Sequence, residues 1–164
     1  MFGGILLCAS LLGAFLDGSE AAAGDAAERR RNLIVDSATR SDTVLRGTVL
    51  EAQSYVHKDG GHGYRIAVAE TYRGRHLEVA SVRAGGWAYL VELAVGEQIL
   101  IFLKESTSPL VDEQFTVVDV SGAKPLVFRV EGSHLIPVDA SLLADFGHFD
   151  FAEVGAELGA LGKQ

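Results

Sequence analysis

Between residues 42 and 104, apolar side chains return at every second position in short runs, and glycines mark where the runs stop. A period of two is that of a half-buried strand, and runs of this length bounded by glycine turns predict a small antiparallel β-barrel or sandwich. The clearest run covers 64–72, where Tyr64, Ile66 and Val68 face one way and Arg65, Ala67 and Ala69 the other. Residues 98–103, Gln-Ile-Leu-Ile-Phe-Leu, do not alternate. That stretch is too short for a typical helix and almost wholly apolar, which predicts a strand buried on both faces.

The remaining elements follow from local signals. Residues 43–56 read as a long first strand with Leu45 and Val49 on one face and Gly47 between them; a glycine inside a strand marks a bulge or sharp coil of the kind a barrel needs. The 57–63 tip, His-Lys-Asp-Gly-Gly-His-Gly, turns the chain, and Arg73-Gly74 ends the second strand. A third strand is expected over 77–82 with Leu77 and Val79 on one face. A loop over 84–96 carries Gly85, Gly86 and the sole tryptophan, Trp87. Strands over 115–120 and 126–130 are divided by Ser121-Gly122. Residues 32–40 predict a short helix burying Leu33, Ile34 and Ala38. Asp150-Phe151-Ala152-Glu153 has capping-box spacing, and Phe151, Val154, Leu158 and Leu161 then recur at helical spacing, which predicts a C-terminal amphipathic helix on the barrel surface.

Residues 5–16 are apolar apart from Ser10, shorter than the about 20 residues that span a bilayer. Ala21-Ala22-Ala23 follows with the small residues that signal peptidase reads, although no Lys or Arg precedes the apolar run. The expected organisation is a signal peptide over 1–23 cleaved before Gly24, a linker over 24–31, a barrel domain over 32–138 and a helical segment over 139–164. The mature chain would be periplasmic or secreted, with no integral membrane span. Cys8 is the only cysteine. The mature chain would hold no disulfide, no thiolate metal site and no cysteine nucleophile. The net charge is −8, and loss of residues 1–23, which carry Asp17 and Glu20 and no basic residue, leaves −6. An acidic surface disfavours nucleic acid and anionic membrane; the one basic run, Arg29-Arg30-Arg31, reads as a solvated linker.

Four segments carry a family likeness. Ser41-Asp42-Thr43-Val44-Leu45-Arg46-Gly47-Thr48-Val49 resembles the opening of small secreted bacterial domains, Tyr72-Arg73-Gly74 their strand-ending step, and Val95-Gly96-Glu97 with the following Gln98-Ile99-Leu100-Ile101-Phe102-Leu103 their central strand; residues 117–130, with Gly122 and Phe128, match their closing segment more loosely. That group is similar in pattern to the OB-fold barrel of tissue inhibitors of metalloproteinases and netrin-like domains. The resemblance, over about residues 33–136, implies a five-stranded Greek-key barrel. It does not bring inhibition with it. Those inhibitors chelate zinc through an N-terminal cysteine, and a chain starting at Gly24 has none.

For chemistry, His57, Asp59 and His62 lie within six residues and are metal-ligand types, but a glycine-rich tip does not preorganise ligands; no metal and no cofactor are expected. There is no Gly-x-Ser-x-Gly elbow, and His134, beside Ser133, reads as a strand-edge residue. Gly60-Gly61-His62-Gly63 sits between two strands, whereas phosphate loops lead into a helix. Tyr64, Tyr72 and Trp87 are stacking types for an OB barrel on single strands, against the acidic balance. Gly155-x-x-x-Gly159 reads as surface helix. Trp87 and Tyr89, in a glycine-rich loop, are the candidate ligand contacts; the competing reading seats Trp87 as a plug in one barrel end. The function expected is an exported, non-catalytic binding module for a protein or glycan partner in the cell envelope or outside the cell. A small metal-dependent or other hydrolase using two or more of His57, His62, His76 and His134 is the second reading. A structural subunit docking through the C-terminal helix is the third.

Overall fold

The strands expected between 43 and 105 form, and they close on themselves. The computed structural model describes residues 9–54, 61–84, 91–106, 115–120 and 124–161. Strand β1 (Thr43–Ser54) pairs with β2 (His62–Arg73), β2 with β3 (Val79–Ala84), β3 with β5 (Phe115–Val117), β5 with β4 (Gln98–Glu105), and β4 returns to β1. Every pair is antiparallel except β3 with β5, which runs parallel through Val82↔Phe115 and Arg83↔Thr116. This is the five-stranded Greek-key circuit of an OB-like barrel.

The strand beside β4 is made in two pieces. Leu103 pairs with Val117, and Ile101, two residues earlier, pairs with Val127 of β8 (Val127–Glu131). Two steps along β4 thus match ten along its neighbour. The surplus is taken up by β6 (Asp119–Val120) and β7 (Lys124–Pro125), a small hairpin outside the barrel sheet whose base closes through Leu126 N–H to Val118 O, 3.1 Å. The chain continues as β9 (His134–Pro137) against β8, helix α2 (Ala140–Phe146), β10 (Phe149–Asp150) against β9, and helix α3 (Phe151–Leu161). His134 opens β9. Helix α2 was not foreseen: it has seven residues and buries only Leu142, too little to show a period. Its start is nonetheless written in Asp139, whose carboxylate accepts from Ser141 N–H at 2.8 Å. Asp150 caps α3 in the same way, through Ala152 N–H at 2.7 Å.

Two apolar cores result. One fills the barrel: Leu45, Val49, Tyr64, Ile66, Val82, Ile99, Ile101, Leu103, Phe115 and their neighbours. The other lies outside it, where Val44, Leu100, Phe102 and Phe128 meet Leu33, Ile34 and Ala38 of α1 (Ala9–Arg40), Leu142 of α2, Phe149, and Val154 and Leu158 of α3. Phe128 stands edge-on to Phe102 and to Phe149, with centroids 6.4 and 4.9 Å apart. Strand β4 serves both cores, so its both-sided burial is as expected; Ile99, Leu100, Ile101, Phe102 and Leu103 are all at 0 % exposure. Each such side chain contributes about 1.5–3 kcal/mol through removal from water.

In β3 Ala80, Val82 and Ala84 face inward, and Val79 lies on the exposed side. Directly opposed residues of an antiparallel pair share a face, and Ile66↔Ala80 and Tyr64↔Val82 place small β3 side chains beside the large inward ones of β2. The helix expected over 32–40 is the end of a longer one, and residues 24–31, read as a linker, are helical. Their Ala, Glu and Arg residues are good helix formers. The basic run is not merely solvated. Arg31 Nε pairs with Glu157 at 2.8 Å, and Arg30 Nη1 donates to Phe146 O at 3.2 Å.

Gly47 marks a ladder shift, between Arg46 and Gly47. A Cβ there would run into the Ala67 carbonyl oxygen and lie 2.6 Å from Ile66 Cγ2. Gly47→Ala is expected to lose about 1–3 kcal/mol in urea unfolding, as overpacked sites do. Gly159→Ala, in α3 with nothing within 4 Å of the new methyl, is expected to gain up to about 1 kcal/mol. Equal effects at the two positions would contradict the close β1–β2 approach.

Candidate functional site

Trp87, Tyr89, His57 and Asp59 lie outside the described residues. The structure gives the frame from which their segments spring. Ser54↔His62 ends the β1–β2 ladder and His62↔Ala84 ends the β2–β3 ladder. The hairpin tip and the 85–90 segment therefore leave the same end of the barrel, on either side of His62. The His62 ring stacks along the strand with that of Tyr64, centroids 6.1 Å apart.

The chain is caught again at Val91. Val91 and Leu93 belong to the barrel core, and the Tyr64 hydroxyl reaches them from within: it donates to Val91 O at 2.6 Å and accepts from Leu93 N–H at 3.1 Å. Burial pushes the Tyr64 phenol above its ordinary value, the Leu93 N–H bond partly offsets this, and Glu92 and Glu97 add to the rise. A turn follows in which Gly96 has φ +91° and Glu97 N–H donates to Ala94 O at 3.1 Å. The Glu97 carboxylate accepts from Ala94 N–H at 2.9 Å and from Arg129 Nε at 2.9 Å, and Arg129 Nη2 donates to Glu92 O at 2.9 Å. The described residues that flank 85–90, Ala84 and Val91, are thus both fastened to β2. Tyr64, Glu97 and Arg129 are the residues that sequence reasoning missed as loop anchors. Val95-Gly96-Glu97 carried part of the signal, because a carboxylate after a positive-φ glycine can cap its own turn; nothing in a linear reading pairs Glu97 with Arg129.

The outer face of β2 and β3 is the usual oligonucleotide surface of an OB barrel. Here its described residues include Arg65, Ala67, Ala69, Val79 and Ser81, with Arg65 Nη1 paired to Glu51 at 2.7 Å. The two described stacking candidates are not offered to it. Tyr64 points into the barrel, and half-buried Tyr72 donates its hydroxyl to Glu70 Oε2 at 2.8 Å. Burial, then that bond to Glu70, pushes the Tyr72 phenol up. Glu70 also meets Arg46 at 3.4 Å, whose guanidinium lies 5.3 Å from the Phe151 ring centroid and so ties α3 to the barrel.

Of the described histidines, His62 opens β2 and His76 follows its far end, while His134 and His148 lie close to one another at the β9–β10 ladder, where His134 pairs with Asp150. Among the described residues no three His, Cys, Asp or Glu side chains gather in a way that holds a metal ion, and none of their helices is long and apolar enough to cross a membrane.

A groove of about 280 Å³ runs between α1 and α3, lined by Ala27, Arg30, Arg31, Ile34, Phe149, Glu153, Val154, Ala156 and Glu157. None of the described histidines lines it. With Val154 and Leu158 committed to the outer core, the side of α3 left to solvent carries Ala152, Glu153, Ala156 and Ala160.

No protein-family model and no curated protein matches the chain.

Tyr64→Phe leaves Leu93 N–H and Val91 O buried without their partner, at a cost of about 1–3 kcal/mol, and faster amide exchange at Leu93 is the local signature. Both tyrosines bind their proton more tightly folded than unfolded. Their contribution is complete below the ordinary tyrosine value of about 10 and is lost as pH rises beyond it. The wild-type chain is expected to lose stability above that pH, and Tyr64→Phe/Tyr72→Phe to lose less. Parallel stability–pH curves for the two proteins would contradict the assignment.

Proposed function

We propose that this chain is an exported, non-catalytic binding module that presents residues 85–90, with Trp87 and Tyr89 as its contacts, to a protein or glycan in the cell envelope or outside the cell. The observation that carries this reading is the fastening of both ends of that segment: Ala84 in the ladder with His62 on one side, Val91 and Leu93 on the Tyr64 hydroxyl on the other. Aromatic residues on a short loop with an immobilised base lose little entropy on binding, which favours recognition. Of the histidines the hydrolase reading names, His62 opens β2, His76 follows the far end of that strand and His134 opens β9, which weighs against it. Kinship with the small secreted bacterial domains and their inhibitor-like barrel is part of the proposal, and its support is the motif strings and their order. The leader over 1–23, with cleavage before Gly24, supplies the export step.

Trp87 is the sole tryptophan, so intrinsic fluorescence reports on it alone. Acrylamide is expected to quench it nearly as well as free indole, and Trp87→Ala to change stability by no more than about 0.5 kcal/mol, as at surface positions. Weak quenching together with a loss of about 3–5 kcal/mol, the cost of emptying a core aromatic site, would make Trp87 a barrel plug and overturn its role as a contact. The intact mass of the natively expressed protein tests export: a chain beginning at Gly24 outside the cytoplasm is expected, and an uncleaved cytoplasmic chain would overturn the localisation.

A further inference from the structure

The groove between α1 and α3 has an ordered chemistry. Ile34, Phe149 and Val154 form an apolar floor. Arg30 and Arg31 stand on the α1 wall and Glu153 and Glu157 on the α3 wall, and Ala27 and Ala156 are too small to fill the space between. Arg31 and Glu157 neutralise each other across the opening at 2.8 Å. Arg30 and Glu153 do not. Arg30 gives Nη1 to Phe146 O and leaves its Nε unpartnered, and Glu153 makes no ion pair among the described residues. One cationic and one anionic group therefore flank an apolar floor without satisfying one another. At about 30 Å³ of liquid volume per water, the groove of about 280 Å³ admits a molecule of roughly nine non-hydrogen atoms.

We propose that this groove binds a small zwitterion with an apolar body, of the aliphatic α-amino acid class. Its carboxylate faces the Arg30 guanidinium, its ammonium faces Glu153, and its side chain lies over Ile34, Phe149 and Val154. A ligand with one charge answers only one wall, so the pairing of opposite walls selects for both. The groove is separate from the barrel end and does not depend on the reading of Trp87 and Tyr89.

The test is an NMR titration of the full chain, following the methyl signals of Ile34 and Val154, with L-leucine as probe and 4-methylpentanoate and isoamylamine as controls lacking one charge each. Leucine is expected to shift both methyl sets saturably, with each control weaker by at least about tenfold. Glu153→Gln lies on the exposed side of α3 and spares both cores. It is expected to weaken leucine at least about fivefold while leaving 4-methylpentanoate unchanged. Ala156→Trp is expected to close the groove and abolish the shifts. The proposal is overturned if millimolar leucine moves neither methyl set in the folded protein, if the controls bind as well as leucine, or if Glu153→Gln binds leucine like the parent.

Discussion

A strand with no dry face to spare holds this molecule together. Ile99, Ile101 and Leu103 of β4 look into the barrel while Leu100 and Phe102 look out into the helical layer, and none of the five meets solvent. The same strand hydrogen-bonds to β1 along one edge and to β5 and β8 along the other. Removing any of its side chains opens a cavity that one of two cores must absorb. The helices are thus not ornaments on a finished barrel. They cover a face that a free-standing barrel would have to make polar.

Inside the barrel one polar atom is used to position backbone. The Tyr64 hydroxyl donates to Val91 O and accepts from Leu93 N–H, so a residue whose ring packs the core also fixes the backbone at Val91 and Leu93. Glu97 and Arg129 repeat the device outside, binding the same stretch to β8. Both anchors act on the described residues from Val91 onward.

How much of this could be read from the chain depends on distance along it. Gly47, Gly74, the alternation of 64–68, the apolar run of 98–103 and the stripe of Leu33, Ile34 and Ala38 are local patterns with one physical meaning each, and each appears where expected. Which face of β3 turns inward was not legible, because Leu77 and Val79 mark one face without saying which the barrel takes; pairing with Ile66 and Tyr64 decides it. Helix α2 and strands β9 and β10 are too short for periodicity to speak. Of the barrel-end site, the glycine-rich aromatic segment was legible as composition. Its anchors were not, because Tyr64 to Val91 and Glu97 to Arg129 are contacts that only the closed sheet creates. The α1–α3 groove was invisible for the same reason, its walls lying more than a hundred residues apart.

The spliced strand beside β4 has a consequence of its own. Val118 and Leu126 are bonded at the neck of the β6–β7 hairpin, and both belong to the outer core. The ladders on either side of that neck are set independently, one by Val117 with Leu103 and the other by Val127 with Ile101. Chain length between them is therefore decoupled from register, and lengthening a closed loop costs little. The neck between Val118 and Leu126 is therefore the place where this fold can accept inserted sequence, whether drifted in by evolution or grafted by design, with the barrel ladders on either side keeping their partners.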